Sequence, residues 1–242
     1  MMFIASIALS ALLCADAALA GVAQNRGLAA RLARRAGRRS APMRNNTSHA
    51  TVQSNWGGAI LGGTGFTAAS ATVTVPRGGG GSSAAGSAWT GFDFYGDGTY
   101  DAWYEWYPEF AADFSGIDIS EGDQIAMSVV ATSLTGGSAT LQNLSTGQKV
   151  TQTFSRVTAG SLCETSAEFI IEDFEECNSN GSNCQPVPFA SFSPAIQFTS
   201  ASATRNGQKV SLSGAELSEV IVNNRDLTRC SVSGSTLSCS YV

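Results

Sequence analysis

Ala167-Glu168-Phe169-Ile170-Ile171-Glu172-Asp173-Phe174-Glu175 alternates acids with large apolar side chains. Neighbours on an extended strand point to opposite faces, so Glu168, Ile170, Glu172 and Phe174 share one side. Phe169, Ile171, Asp173 and Glu175 share the other. A second stretch, Tyr100-Asp-Ala-Trp-Tyr-Glu-Trp-Tyr107, has the same period. It places Asp101, Trp103, Glu105 and Tyr107 on one face, with Tyr100, Ala102, Tyr104 and Trp106 opposite. Short alternating runs recur at 71–75, 125–132, 138–144, 149–156, 210–212 and 219–222, separated by Gly-, Asn- or Ser-rich punctuation. No helical period interrupts them. Many short strands at such spacing predict an antiparallel sandwich or barrel. Residues 77–87, mostly Gly and Ser, read as a flexible loop.

The 242 residues are 43% hydrophobic and only 14% charged, enough apolar material for one sizeable β domain. Residues 3–14 are apolar but too short to span a bilayer, and Ala18-Leu19-Ala20 is a small-x-small cleavage site. Residues 1–20 therefore read as a signal peptide of a secreted, extracellular protein, and no later segment predicts a membrane helix. Seven arginines, Arg26 to Arg44, fall before residue 51, whereas 18 of the 19 acids follow it. With the seven remaining Lys and Arg, the body after residue 50 carries a formal charge of −11. A basic patch beside an acidic body suits nucleic acid or an intramolecular partner. Lying directly behind an export signal, residues 21–50 are read as a propeptide covering an acidic cleft, not as a nucleic-acid arm.

Export makes disulfides the default for cysteines. Cys177–Cys184 and Cys230–Cys239 are close enough in sequence to close local loops, which leaves Cys163 odd. Asn143-Leu-Ser and Asn180-Gly-Ser match the glycosylation acceptor pattern. His49, the one histidine, lies at the end of the expected propeptide. A mature body without imidazole excludes Ser-His-Asp and Cys-His catalysis and any zinc site with histidine ligands. No phosphate loop or dinucleotide fingerprint is present, so no metal and no cofactor is expected. Carboxylates must then carry any proton transfer. Acids interleaved with apolar residues gain raised pKa values if they are buried, which suits general acid/base work in an acidic medium. The same alternation also fits a solvated outer face.

Four stretches resemble the eqolisins, the glutamic peptidases. They are Trp56-Gly-Gly-Ala-Ile60, preceded by Ser54-Asn55; Tyr95-Gly-Asp-Gly-Thr-Tyr-Asp-Ala-Trp-Tyr-Glu-Trp-Tyr-Pro108; Ile119-Ser-Glu-Gly-Asp123; and Ala167 to Glu175. The resemblance runs from about Thr51 to Val242, giving a peptidase domain over 51–242. It implies a concanavalin A-like sandwich of two large antiparallel sheets, acting on protein or peptide substrates as a monomer. It implies a catalytic Glu–Gln pair, the glutamate falling on Glu172 as general base and then acid. Trp56, Trp89, Asp101, Trp103 and Glu105 fall on positions lining or supporting the cleft.

One departure stands out. In the family, a segment holding an aspartate, a cysteine and the catalytic glutamine separates the tryptophan at Trp89 from Thr-Gly-Phe. Here Trp89 runs straight into Thr90-Gly91-Phe92. No residue inherits the glutamine, Gln53 included, and the missing cysteine would be the partner of Cys163. An omitted exon accounts for both losses, and a real deletion is the alternative. Loss of a strand-length piece beside the cleft would leave backbone groups unpaired and open a void, so poor folding and little activity at acid pH are expected. A glycoside hydrolase using Glu105 and Glu172, and a non-catalytic binding remnant, are the competing readings.

Overall fold

The computed structural model describes residues 38–39, 54–89, 91–178 and 182–242, and of Arg38–Arg39 only the backbone. The expected signal peptide, the rest of the propeptide, His49, Gln53, Thr90 and the Asn180 sequon lie outside these residues. Every described element is a strand or a turn, and the strands pair antiparallel in two large sheets. One sheet runs Glu216–Ser218, Trp56–Gly62, Ser166–Glu172, Gly81–Ala88, Phe92–Gly96, Tyr100–Tyr104 and Ala112–Asp113. The other is built on Phe66–Thr74, flanked by Gln124–Ser133 and Ile196–Arg205. Gly136–Asn143 and Lys149–Phe154 extend it on one side, Thr236–Tyr241 and Thr228–Ser233 on the other.

The period-two pattern decides which side chains meet between the sheets. Phe169 and Ile171 turn inward to join Phe92, Phe94, Val73, Ile125, Leu141 and Phe198 in one core. Phe169 meets Phe198 of the facing sheet edge-on, with ring centroids 6.3 Å apart. This is the interdigitated interior of a sandwich. Glu168, Ile170 and Glu172 take the opposite face, as the alternation requires. That face is not solvated, however, because all seven residues of Ser166–Glu172 are buried.

The Gly- and Ser-rich stretch expected as a flexible loop is instead two strands, Arg77–Gly79 and Gly81–Ala88. Its small residues serve close packing. A side chain on Gly78 would run into the Tyr95 carbonyl, and one on Gly86 into the Phe94 ring. The run at 167–175 is also divided, into Ser166–Glu172 and Glu175–Glu176. Cys177–Cys184 and Cys230–Cys239 form the two expected disulfides, and Cys163 is a free, exposed thiol.

Asn143 corrects the sequon reading. Its side chain is fully buried, and Nδ2 donates to the Asp118 carbonyl (2.9 Å) and to Asp123 Oδ2 (2.8 Å). Its Oδ1 accepts from the amides of Ser145 and Thr146. Both amide hydrogens that a glycan would need are committed to the turn. The folded protein should therefore carry no glycan at Asn143, as peptide mass mapping would show. Asn143→Asp, which removes two donors and sets a second carboxylate beside Asp123, should cost about 2–3 kcal/mol in urea unfolding.

Candidate active site

Strand register builds the site. Trp56 lies opposite Glu172, Glu172 opposite Ser87, Ser87 opposite Asp93, and Asp93 opposite Asp101. Directly opposed residues face the same side of a sheet, so these five form one row across five strands. Glu172, Ser87 and Asp93 are fully buried, and Asp101 is half-buried at the far end. Successive strands lie about 4.8 Å apart, which puts Asp101 roughly 14 Å from Glu172, beyond direct contact.

Beside this row sits a small aromatic cluster of Trp56, Trp89, Trp103 and Ile170. Trp56 and Trp89 meet edge-on, with centroids 4.6 Å apart. Trp89 Nε1 donates to Glu172 Oε2 at 2.6 Å, a short bond of the kind a carboxylate strengthens. The amide of Trp89 also donates to the Ile170 carbonyl, tying both ends of the residue to the glutamate strand. On the other side of the row, Tyr95, Phe174, Ala85 and Val187 form a second cluster. Tyr95 Oη donates to Asp93 Oδ2 at 3.4 Å.

The expected site residues are thus gathered unevenly. Glu172, Trp56 and Trp89 touch, Trp103 completes their cluster, and Asp101 closes the row. Glu105 is buried just beyond the end of its strand. Asp93 and Ser87 were missed by the sequence reading. An acid between Phe92 and Phe94 was a legible signal of burial, whereas Ser87 was lost with the stretch read as loop. Glu168 is a further buried acid. Desolvation pushes its carboxyl up to about 7, only partly offset by the hydroxyl of Ser166, which donates to Oε1 at 2.9 Å.

The strand pairing is incomplete at one place. Ser166–Glu172 pairs with Trp56–Gly62 along all seven residues, but with Gly81–Ala88 only at Ile171 and Glu172. The Trp89 N–H bonds the Ile170 carbonyl, and Glu168 and Phe169 border a small cavity lined also by Trp89, Ala69, Ala71 and Met127.

The family model described as the Peptidase A4 family matches residues 54–241. Scytalidopepsin B of Scytalidium lignicola is 60% identical, with all of both chains covered. That alignment runs over 260 residues, 18 more than the 242 of this chain. Aspergillopepsin-2 of Aspergillus niger is 43% identical, over 82% of this chain and 81% of its own. A crystal structure of scytalido-glutamic peptidase with a peptide-based transition-state analog superposes with a TM-score of 0.75 at 63% identity. It covers 78% of this chain and 98% of that one.

Proposed function

The chain belongs to the Peptidase A4 family, the glutamic peptidases, and we propose that it is a secreted acid endopeptidase precursor whose proton-handling residue is Glu172. The observation that carries this reading is a fully buried carboxyl, held by an indole N–H in a row with Asp93, in a body without imidazole. Glu172 takes a proton from a water that adds to the peptide carbonyl. It then returns that proton to the departing amine, so the carboxylate is regenerated and the peptide has gained one water. Trp89 orients the carboxylate, and the aromatic cluster keeps its surroundings dry. Residues 1–20 direct export, and residues 21–50 act as an intramolecular inhibitor of the acidic cleft of a monomer.

This exact chain has little turnover. Glu172 has no exposed surface for a water to approach, and among the described residues no glutamine lies in its strand row to stabilise the oxyanion. The part of the Ser166–Glu172 edge that Gly81–Ala88 does not pair begins where that strand stops, at Trp89. A segment inserted there would run along that edge. Its absence also accounts for the free Cys163 and supports an omitted exon.

The test is hydrolysis of denatured protein at about pH 3, where most ordinary carboxyls are protonated, with a polysaccharide assay alongside. Slow but measurable proteolysis, lost in Glu172→Gln, is expected. Sugar release without proteolysis would make it a glycoside hydrolase. Peptide binding with no turnover, even after the missing segment is restored, would make it a remnant.

A further inference from the structure

Trp56 lies opposite Glu172 in one strand pair, but on the other side of its strand the pairing is irregular. Glu216–Ser218 pairs in register down to Ser218 opposite Gly58, and the next bridge joins Ile221 to Ser54. Three residues, Asn55 to Gly57, therefore lie opposite only two, Glu219 and Val220. One extra residue on one strand is a β-bulge, which bends that strand and re-aims a side chain. The opposing pair is drawn away toward Thr228–Ser233 of the other sheet. The Val220 amide donates to Thr228 Oγ1 at 2.8 Å, and the Glu219 carboxylate accepts from that hydroxyl and from the Cys230 amide, both at 2.7 Å.

Two buried hydroxyls meet the Trp56 backbone in the space this leaves. Ser218 Oγ donates to the Trp56 carbonyl at 2.7 Å, and Ser54 Oγ donates to it at 3.2 Å. The Trp56 amide donates to Ser54 Oγ at 3.4 Å, and the two hydroxyls stand 3.4 Å apart. Ser54 is itself pinned, since its amide donates to the Ile221 carbonyl at 3.0 Å and its carbonyl accepts from the Ile221 amide at 2.8 Å. Between the serine and the tryptophan, the Asn55 carbonyl accepts from the amide of Asp173, the residue after Glu172, at 2.8 Å. The Trp56 peptide and the end of the glutamate strand thus share one bonded frame. The Trp56 ring meets Trp89 edge-on, and the Trp89 indole N–H donates to Glu172.

We propose that Ser218 and Ser54 are positioning residues for proton transfer at Glu172. Their hydroxyls fix the Trp56 peptide inside the bulge, the peptide fixes the ring, and the ring fixes how Trp89 meets the carboxyl. The role in proton transfer rests on the peptidase reading, whereas the placement of Trp89 does not. A side-chain hydroxyl suits this place for a physical reason. A backbone partner would regularise the pairing and cancel the bulge, while a serine reaches the carbonyl from the last residue still in register. A buried carbonyl deprived of that donor turns toward another, and the ring on the same residue turns with it. Neither serine touches the reacting atoms, so their loss falls on turnover and not on substrate affinity.

The test uses the full chain, isotopically labelled at its tryptophans, whose four indole N–H groups are followed by nuclear magnetic resonance at matched pH. Trp89→Phe identifies the Trp89 signal by its loss. In Ser54→Ala/Ser218→Ala that signal should move upfield, because the proton is held less closely by Glu172. Proteolysis by the same variant at about pH 3 should show kcat lowered about tenfold and KM changed less than about twofold. Ser202→Ala removes a comparably buried hydroxyl, bonded to Ser70 in the other sheet, and should change neither readout. Should the double variant unfold, Ser54→Ala alone, which leaves the shorter bond in place, carries the same comparison. A Trp89 signal that stays in place, that moves as far in Ser202→Ala, or that moves while kcat is unchanged overturns the assignment. A moved signal in a chain that shows no turnover, even after the missing segment is restored, would instead overturn the peptidase reading and leave the placement of Trp89 standing.

Discussion

Inserting the family's glutamine-bearing segment between Trp89 and Thr90 is expected to raise acid peptidase activity by about a hundred- to a thousandfold. That is the usual effect of one preorganised oxyanion donor. The structure gives two further reasons for a large change. The carboxyl of Glu172 is sealed from solvent under Trp89, which a segment leading away from Trp89 would draw back. Ser166–Glu172 also pairs with Gly81–Ala88 only at Ile171 and Glu172, and an added strand would fix its position. The restored chain should lose its reactive thiol as well, because the inserted cysteine pairs with Cys163, now exposed and free. Titration with a thiol reagent on the folded protein checks this. One reactive thiol is expected in the processed chain as it stands, and none after insertion. An inserted chain that folds, keeps its thiol and gains no activity would contradict this account of the departure from the family.

The second large effect is on stability, through Glu168. Its hollow is lined by Trp89, Ala69, Ala71, Met127, Val129 and Phe169, with Ser70 as another polar neighbour. Among the described residues no other charged group lines it to compensate an ionised carboxylate. Only Ser166 bonds to it, and Oε2 has no hydrogen-bond partner among the described residues. Burial therefore holds the folded pKa at about 7, above the ordinary carboxyl value of 4.5. The folded state then binds more protons than the unfolded chain throughout that interval. Stability falls as pH rises from about 4.5 to about 7, and the loss is complete above 7. The shift corresponds to about 3 kcal/mol, a large share of a typical domain's stability. Urea unfolding at about pH 4 and about pH 7.5 measures it. Glu168→Gln should remove most of the difference, since a neutral amide has nothing to ionise. An unchanged pH slope in that variant would assign the loss to other groups. A carboxyl neutral in acid is also consistent with a protein that works where most carboxyls are protonated.

Much of this was legible in the sequence for one reason, the strictness of the strand period. Alternation in 167–175 placed Glu172 and Ile170 on one face and Phe169 and Ile171 on the other, and the structure places them so. Alternation could not show that both faces are covered. Burial of Glu168 depends on the facing sheet and on Trp89, and that of Glu172 on Trp89, all distant from them in sequence. The stretch 77–87 misled because glycine and serine mark loops on average. Here they mark strands packed so closely against Tyr95 and Phe94 that no larger residue fits. Asn143 misled for the converse reason, since a sequon is local while the bonds to Asp118 and Asp123 span some 20 residues or more. The row joining Glu172 to Asp93 and Asp101 needed register, which no single stretch of sequence contains.

The most direct test is peptide hydrolysis at about pH 3 by the segment-restored chain, with and without Glu172→Gln. A side chain that takes and returns the proton contributes at least about a hundredfold, so the variant should fall by that much or more while keeping its fold and its peptide affinity. Turnover within tenfold of the restored chain would contradict the assignment of proton transfer to Glu172.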